Sequence, residues 1–140
     1  TAIDVYVDLN NPLVVNATPT TGYGWDLASA ASRQNADHLR DFIFHTAAYD
    51  DSGVWVMADN NTNNARRNNI QTAANKYKIA ATGWYTFEWI FRNNAGVLAV
   101  DCNLRDAGGA LLFTETRSDA SDVMVIFATS SAVFPSCEQN

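Results

Sequence analysis

The chain has 140 residues, which is the size of one average domain, and carries a formal net charge of −6 at neutral pH. Its 9 basic residues stand against 15 acidic ones, which argues against a nucleic-acid partner, since such a partner requires a basic surface stripe. No apolar run approaches the length of about 20 residues that a membrane span needs, so we expect one domain over residues 1–140 without a membrane span.

The first half of the chain predicts short strands joined by turns. Residues 2–9, AIDVYVDL, alternate apolar and polar side chains, which is typical of a half-buried strand. A turn, a short strand and a loop are expected before a strand of small residues in which Trp25 and Leu27 share one side. A hairpin follows, with strands at residues 39–47 and 54–58.

Residues 59–83 interrupt this pattern. Seven asparagines lie between Asn60 and Asn75, and asparagine favours turns and local side-chain hydrogen bonds over regular ladders. The segment predicts a long loop with one or two helical turns near residues 70–75. A loop of this length in a compact domain is usually functional or mobile.

The second half predicts an antiparallel meander. Residues 84–91 alternate, with one apolar face formed by Tyr85, Phe87, Trp89 and Phe91. Turns at 92–96 and 106–109 separate this strand from two more, at 97–104 and 110–117, and a last strand is expected at 123–127. Many short strands with frequent turns and almost no helical pattern indicate an all-β antiparallel sandwich or jelly roll.

The two cysteines, Cys102 and Cys137, have two interpretations. An even number in a chain suspected to be secreted suggests one disulfide that ties the C-terminal tail to the middle strand of the meander. The alternative is a buried free thiol at Cys102 and an exposed one at Cys137. A zinc site is not expected, because the chain has no Cys-x-x-Cys motif.

Several stretches of the chain resemble a group of secreted bacterial proteins that are largely uncharacterised. The resemblance covers residues 2–122 and is carried by AIDVYVDL, GWDLASAASRQNADHLRDFIFHTAAY, ADNNTNNARRNN and ATGWYTFEWIFRNNAGVLAVDCNLRDAGGALLFTETRSDASD. It implies secretion and a concanavalin A-like or laminin G-like sandwich. No catalytic motif comes with it.

The C-terminal sequence departs from that group. We expect a closing strand similar to Gly-Asn-Arg-Tyr-Gly-Trp after the meander, whereas this chain continues with VMVIFATSSAVFPSCEQN. An open sheet edge would invite pairing with another chain. The N-terminal strand is then a candidate donor that inserts into a neighbouring copy and builds filaments through Ile3, Val5, Val7 and Leu9. The alternative is that residues 2–9 pair within their own sheet.

Glycan contact is the favoured small-ligand hypothesis. Sugar sites combine a flat aromatic ring with amide or carboxylate groups that bond the hydroxyls. The candidates are Trp84, Trp25, Trp55, Tyr49, Asn61 and Asn64. Trp84 is the best candidate for an exposed ring because it begins a strand on its mixed face. The alternative for each tryptophan is a place in the core.

Two further hypotheses concern oxygen-rich side chains. Asp59, Asn61 and Asn63 alternate as in oxygen-ligand loops and could bind Ca²⁺, although the glycine and glutamate of an EF-hand are missing. The alternative is an ordinary polar loop, and no other cofactor is expected. Asn16 and Asn60 begin Asn-x-Thr triplets, which are acceptor sites for glycosylation.

Two sets of side chains could suit an enzyme, and for each the alternative is an ordinary structural or solvated surface position. Glu88 and Asp101 lie on the mixed face of neighbouring strands and are the one plausible pair for a glycoside hydrolase. His38 and His45 point to opposite faces of one strand, so we expect a surface His38 and a hydrogen-bonded His45 rather than a catalytic triad.

Together these patterns predict a secreted, non-catalytic structural or adhesive module at the cell exterior. Its partners would be surface glycans or copies of itself, with strand donation into filaments as one form. The alternative is a carbohydrate-binding, lectin-like module, and a glycoside hydrolase or lyase comes third.

Overall fold

The computed structural model describes residues 1–20, 22–33, 35–50, 53–61 and 70–124. These residues form eight strands and one short helix: β1 (Ala2–Val7), α1 (Pro12–Val15), β2 (Tyr23–Ser32), β3 (His38–Ala48), β4 (Val54–Asn60), β5 (Tyr77–Ile79), β6 (Gly83–Asn94), β7 (Val97–Asp106) and β8 (Leu111–Val123). Sheet A has the strand order β1-β6-β7-β8 and sheet B the order β2-β3-β4-β5, with every pair antiparallel. The predicted all-β antiparallel sandwich is confirmed.

The two sheets share one hydrophobic core because alternate side chains of each sheet face the other. The ring of Phe44 in sheet B lies edge-on to Phe87 and Trp89 of sheet A, with centroids 5.1 and 5.0 Å apart. Trp89 Nε1 also donates a hydrogen bond of 3.0 Å to the carbonyl of Phe42, which joins the sheets through a buried polar group. The buried positions predicted at Tyr85, Phe87 and Trp89 are confirmed.

The chain passes between the sheets twice in the described residues. Sheet B is a consecutive meander of β2 to β5, and β6 to β8 form a second meander in sheet A. β1 joins this second meander antiparallel to β6, with Ala2 opposite Glu88 and Val7 opposite Gly83. The N-terminal strand therefore pairs within its own sheet, while the jelly-roll and concanavalin A-like forms stay predictions.

Four local predictions differ from the structure. Residues 12–15 form a helical turn rather than a strand, because Asn11 caps it by accepting a 2.9 Å hydrogen bond from Leu13 N and Pro12 suits a first helical position. β5 lies inside the predicted long loop, of which residues 62–69 are outside the described part. Phe91 is exposed next to the β6–β7 turn. β8 extends to Val123, and the rest of the predicted strand at 123–127 lies largely outside the described residues.

One lateral side of the sandwich is cross-linked by polar contacts, and we call it the closed side (β8 with β4 and β5). Arg117 of β8 contacts Asp59 of β4, with NH2 and Oδ1 2.5 Å apart. The side chain of Asn75 donates a 3.1 Å hydrogen bond to the carbonyl of Thr114 in β8.

Within the described residues, no helix is long and apolar enough to cross a membrane.

A buried ion pair also joins β8 to sheet B. Arg40 of β3 binds Asp122 of β8 through two hydrogen bonds of 2.9 and 2.7 Å, and Asp122 is 1% exposed. The bidentate geometry satisfies both carboxylate oxygens, so this charge is paired although it is removed from water.

Candidate functional site

Two exposed aromatic rings lie side by side on the outer face of sheet A. Trp84 of β6 and Tyr6 of β1 are opposite each other in the strand register, with ring centroids 5.4 Å apart and planes at 63°. Their exposed fractions are 56% and 54%. The alternation of β6 places Trp84 opposite the buried Tyr85, so the predicted exposure of Trp84 is confirmed.

Polar groups stand next to this aromatic pair. Thr86 Oγ1 donates a 2.6 Å hydrogen bond to Asp4 Oδ1 across β1 and β6. Asp4, Trp84, Thr86 and Ala107 line a shallow depression. An aromatic face beside a hydroxyl and a carboxylate is the combination that stacks on a pyranose and bonds its hydroxyls. We refer to Tyr6, Trp84, Asp4 and Thr86 as the aromatic platform.

Further along the same face, Glu88 belongs to a cross-strand polar network. Its carboxylate accepts hydrogen bonds from Asn103 Nδ2 at 3.1 Å and Arg105 Nε at 3.2 Å. The hydrogen bond from Asn103 has the largest effect on the pKa of Glu88 and lowers it. Burial opposes this shift, but the hydrogen bond and the charge of Arg105 add to it, so the pKa is lowered overall. Glu88 is therefore held in its ionised form.

Asp101 has a similar environment on β7. Arg92 binds it with two hydrogen bonds of 2.9 and 3.0 Å, and Thr116 Oγ1 donates a third at 2.6 Å. The hydrogen bonds from Arg92 and Thr116 lower the pKa of Asp101. A general acid in a glycosidase needs a raised pKa instead, so neither carboxyl has the electrostatic setting of that role.

A groove opens between β1 and β2 on the lateral side opposite the closed side; we call this the open side (β1, α1 and β2). Its cavity of about 350 Å³ is lined by residues that include Val5, Tyr6, Leu13, Tyr23, Trp25 and Val54. Trp25 is 39% exposed and packs edge-on against Phe87, with centroids 5.6 Å apart. Trp25 thus contributes to both the core and the groove wall.

The other aromatic candidates contact each other at one end of sheet B, where Tyr49 follows β3 and Trp55 belongs to β4. Tyr49 and Trp55 are stacked, with centroids 5.7 Å apart and planes at 13°. Lys76 and Lys78 place their Nζ atoms 5.0 and 5.7 Å from the Trp55 ring centroid, within cation–π range. Trp55 is half-buried, so its ring offers less open surface than Trp84 does.

The proposed calcium ligands already have protein partners. Asp59 Oδ1 contacts Arg117, and the Asn61 side chain exchanges hydrogen bonds of 2.8 and 2.9 Å with Asp41. The guanidinium beside Asp59 disfavours a cation there, so these two residues do not fit a Ca²⁺ site as they stand. Asn63 and the glycan candidate Asn64 lie outside the described residues.

Within the described residues, no group of three or more His, Cys, Asp or Glu side chains is placed to hold a metal ion. The two asparagines of the glycosylation hypothesis differ in exposure. Asn16 is exposed after α1, and Asn60 is half-buried at the end of β4. Use of either site stays a prediction.

The histidines and Cys102 are in structural environments. His38 is exposed beside Asp41, and the buried His45 bonds Asp26 with Nδ1 and Oδ1 3.0 Å apart, as expected. Cys102 is a free thiol with no exposed surface, and burial raises its pKa to about 12. The predicted disulfide is not found in the described residues, and Cys137 lies outside them.

No protein-family model matches the chain, and comparisons with curated proteins and with solved structures find no match either. The site therefore rests on geometry. Sequence reasoning found Trp84 but missed Tyr6 and Asp4, which the β1–β6 pairing brings beside it. The alternation of β1 predicts that both residues lie on the face opposite Val5. It does not predict which strand pairs with β1.

Proposed function

We propose that the protein is a secreted, non-catalytic binding module that holds a glycan against the outer face of sheet A. The observation that carries this proposal is the exposure of both rings of the aromatic platform, Trp84 and Tyr6, beside the hydrogen-bonded pair of Asp4 and Thr86. A sugar stacked there covers aromatic surface that is otherwise open to water, while its hydroxyls find polar partners.

The electrostatics of the same face support binding rather than hydrolysis. Glu88 and Asp101 are each bound by an arginine, and the pKa of each is lowered. A carboxylic acid that donates a proton near neutral pH requires the opposite shift. These residues hold the strands of sheet A in register and keep the face polar.

The pairing of β1 favours glycan binding over strand donation. The N-terminal amine and backbone of Thr1 exchange hydrogen bonds of 3.0 and 2.8 Å with Trp89, and β1 continues this ladder to Val7. Donation to a neighbour would require all of these hydrogen bonds to break first. A module that keeps β1 also keeps Tyr6 beside Trp84.

The test is a calorimetric titration against a panel of soluble oligosaccharides. Because stacking on an aromatic ring contributes up to about 1.5 kcal/mol, Trp84→Ala should weaken binding by up to about tenfold, and Trp84→Phe should weaken it less. Ile90→Ala is the matched control, since Ile90 is also exposed on the same face of β6. Equal binding by Trp84→Ala and the parent chain, or no ligand in the panel, would contradict the proposal.

A further inference from the structure

The outer edge of β1 presents backbone groups that no other strand of the described residues binds. Thr1 and Trp89 exchange two backbone hydrogen bonds, and hydrogen-bonded pairs alternate along an antiparallel ladder. Ile3, Val5 and Val7 therefore bond β6. The N–H and C=O groups of the intervening residues, Ala2, Asp4 and Tyr6, point away from sheet A.

The other edges of the two sheets are protected in ways that β1 is not. β5 has three residues, one of them a lysine, and is too short to template another strand. The pairing of β8 with β7 has two irregularities in register, and Asn75 donates a hydrogen bond to the carbonyl of Thr114. β2 has an irregularity near its end, at Ala31 and Ser32. β1 pairs in unbroken register and contains no lysine, proline or bulge.

Exposed apolar side chains concentrate around this edge. Of the twelve large exposed hydrophobic side chains in the described residues, seven lie in β1, α1, β2 or the start of β6: Ile3, Tyr6, Leu13, Val15, Tyr23, Trp25 and Trp84. Residues 1–32 contain no lysine or arginine. An apolar surface of this kind beside an unpaired strand edge is typical of an interaction site.

We propose that two copies of the chain pair through the outer edges of β1, antiparallel and about a twofold axis at Val5. The alternation of backbone groups allows only registers in which even-numbered residues such as Ala2, Asp4 and Tyr6 lie opposite even-numbered residues of the other copy. A twofold axis at Asp4 would place the two Asp4 carboxylates opposite each other, which is destabilising. The axis at Val5 places each Asp4 opposite the Tyr6 of the other copy and gives a longer overlap than an axis at Ile3.

A second copy is the occupant that this edge fits, since the register is complementary to itself. At the axis, Val5 faces Val5 in a non-hydrogen-bonded pair, and each Ile3 faces Val7, so apolar side chains meet along the inner face. The dimer forms one continuous eight-stranded sheet. Both Trp84 rings then lie on the same outer face, although the pairing does not depend on glycan binding.

The first test is sedimentation velocity of the full chain over a range of concentrations. We expect a monomer–dimer equilibrium that stops at two copies. Ile3→Lys should raise the dissociation constant about tenfold or more, because a charge on an edge strand opposes pairing. The matched control is Leu111→Lys on β8, since Leu111 is 51% exposed at the opposite edge of sheet A, and it should leave the dimer unchanged.

The second test fixes the register by a disulfide and does not depend on how Ile3→Lys folds. In a Cys137→Ser background, Val5→Cys should form a covalent dimer on mild oxidation, because facing residues of a non-hydrogen-bonded pair have suitable Cα spacing. Cys102 will not interfere, because it is buried. The collision control is Val15→Cys, since Val15 is 48% exposed on α1 nearby.

Four results would overturn the proposal. The first is a monomer at every concentration, and the second is a series of sizes beyond two copies. The third is a disulfide that forms as readily in Val15→Cys as in Val5→Cys. A covalent dimer from Asp4→Cys but not from Val5→Cys would also reject the axis at Val5.

Discussion

The two lateral sides of the sandwich are built from the same kind of strand but solve the problem of an exposed edge differently. On the closed side, Arg117 binds Asp59 and Asn75 covers a carbonyl of β8. On the open side, β1 and β2 border a cavity of about 350 Å³ with aromatic walls. On the closed side, polar side chains join the two sheets. On the open side, apolar surface stays exposed.

This contrast separates stability from recognition along the strand order. Polar links between β8 and sheet B fix one flank of the core, where the charges are paired and either buried, as in Arg40–Asp122, or half-buried, as in Arg117–Asp59. The opposite flank keeps exposed rings, of which Trp25 also packs against Phe87 of the core. Changes on the closed side should therefore act on unfolding, and changes to exposed side chains on the open side should act on binding.

The largest effect is expected from Asp122→Ala on the closed side. Removing the carboxylate leaves the buried guanidinium of Arg40 without its bidentate partner, which should lower the free energy of unfolding by about 3–5 kcal/mol. Urea denaturation followed by circular dichroism measures this. The double variant Arg40→Met with Asp122→Leu should recover much of the loss, and an unchanged midpoint in Asp122→Ala would show that the pair is not buried.

Gly24→Ala tests how closely the backbone of the open side is packed. A Cβ at Gly24 would lie 2.2 Å from the carbonyl oxygen of Thr46, so β2 must shift, and we expect a loss of about 1–3 kcal/mol in unfolding free energy. Gly83→Ala is the control, because a Cβ there meets no atom within 4 Å. Equal stability of the two variants in thermal melts would mean that β2 moves freely.

Acid titration tests the carboxylates on the outer face of sheet A, which extends from β1 on the open side to β8 on the closed side. The pKa of Glu88 and of Asp101 is lowered by folding, so each carboxylate stabilises the fold above its unfolded pKa of about 4. That contribution is lost as the pH falls through the folded pKa. The free energy of unfolding should therefore fall below about pH 4, and Glu88→Gln should make this fall shallower. A parallel fall in both chains would exclude Glu88 as a contributor.

The smallest effect is expected from Asn75→Ala, which uncovers the β8 edge. The change removes one exposed hydrogen bond to Thr114 and a contact with Glu115, so we expect a loss of at most about 1 kcal/mol. The informative measurement is hydrogen exchange of the β8 amides, which should accelerate locally. Unchanged exchange would show that the side chain does not protect this edge.

The strands that sequence reasoning predicted were those with clear alternation. Residues 84–91 and 2–9 alternate over many positions; the first range lies within β6, and β1 covers residues 2–7 of the second but ends before Leu9. β5 was missed because three residues within an asparagine-rich segment carry too little pattern. The short strand expected between β1 and β2 is a helical turn in the structure, because the Asn11 cap and Pro12 favour a helical start.

Only part of the candidate site could be predicted from the sequence, because alternation gives the face of a residue but not its neighbouring strand. Alternation along β6 put Trp84 on the mixed face, but a single sequence does not say which strand lies next to β6. Only the pairing of β1 with β6 brings Tyr6 and Asp4 beside Trp84. Long-range strand order depends on packing between distant segments, which local periodicity does not encode.

The buried thiol of Cys102 can report on the opening of the sandwich through its rate of chemical labelling. It lies in β7, between β6 and β8, with no exposed surface and a thiol pKa of about 12. A disulfide reagent reacts with the thiolate, so labelling at neutral pH must wait until β7 separates from its neighbours. In a Cys137→Ser chain, the labelling rate would therefore measure how often sheet A opens under native conditions, without denaturant.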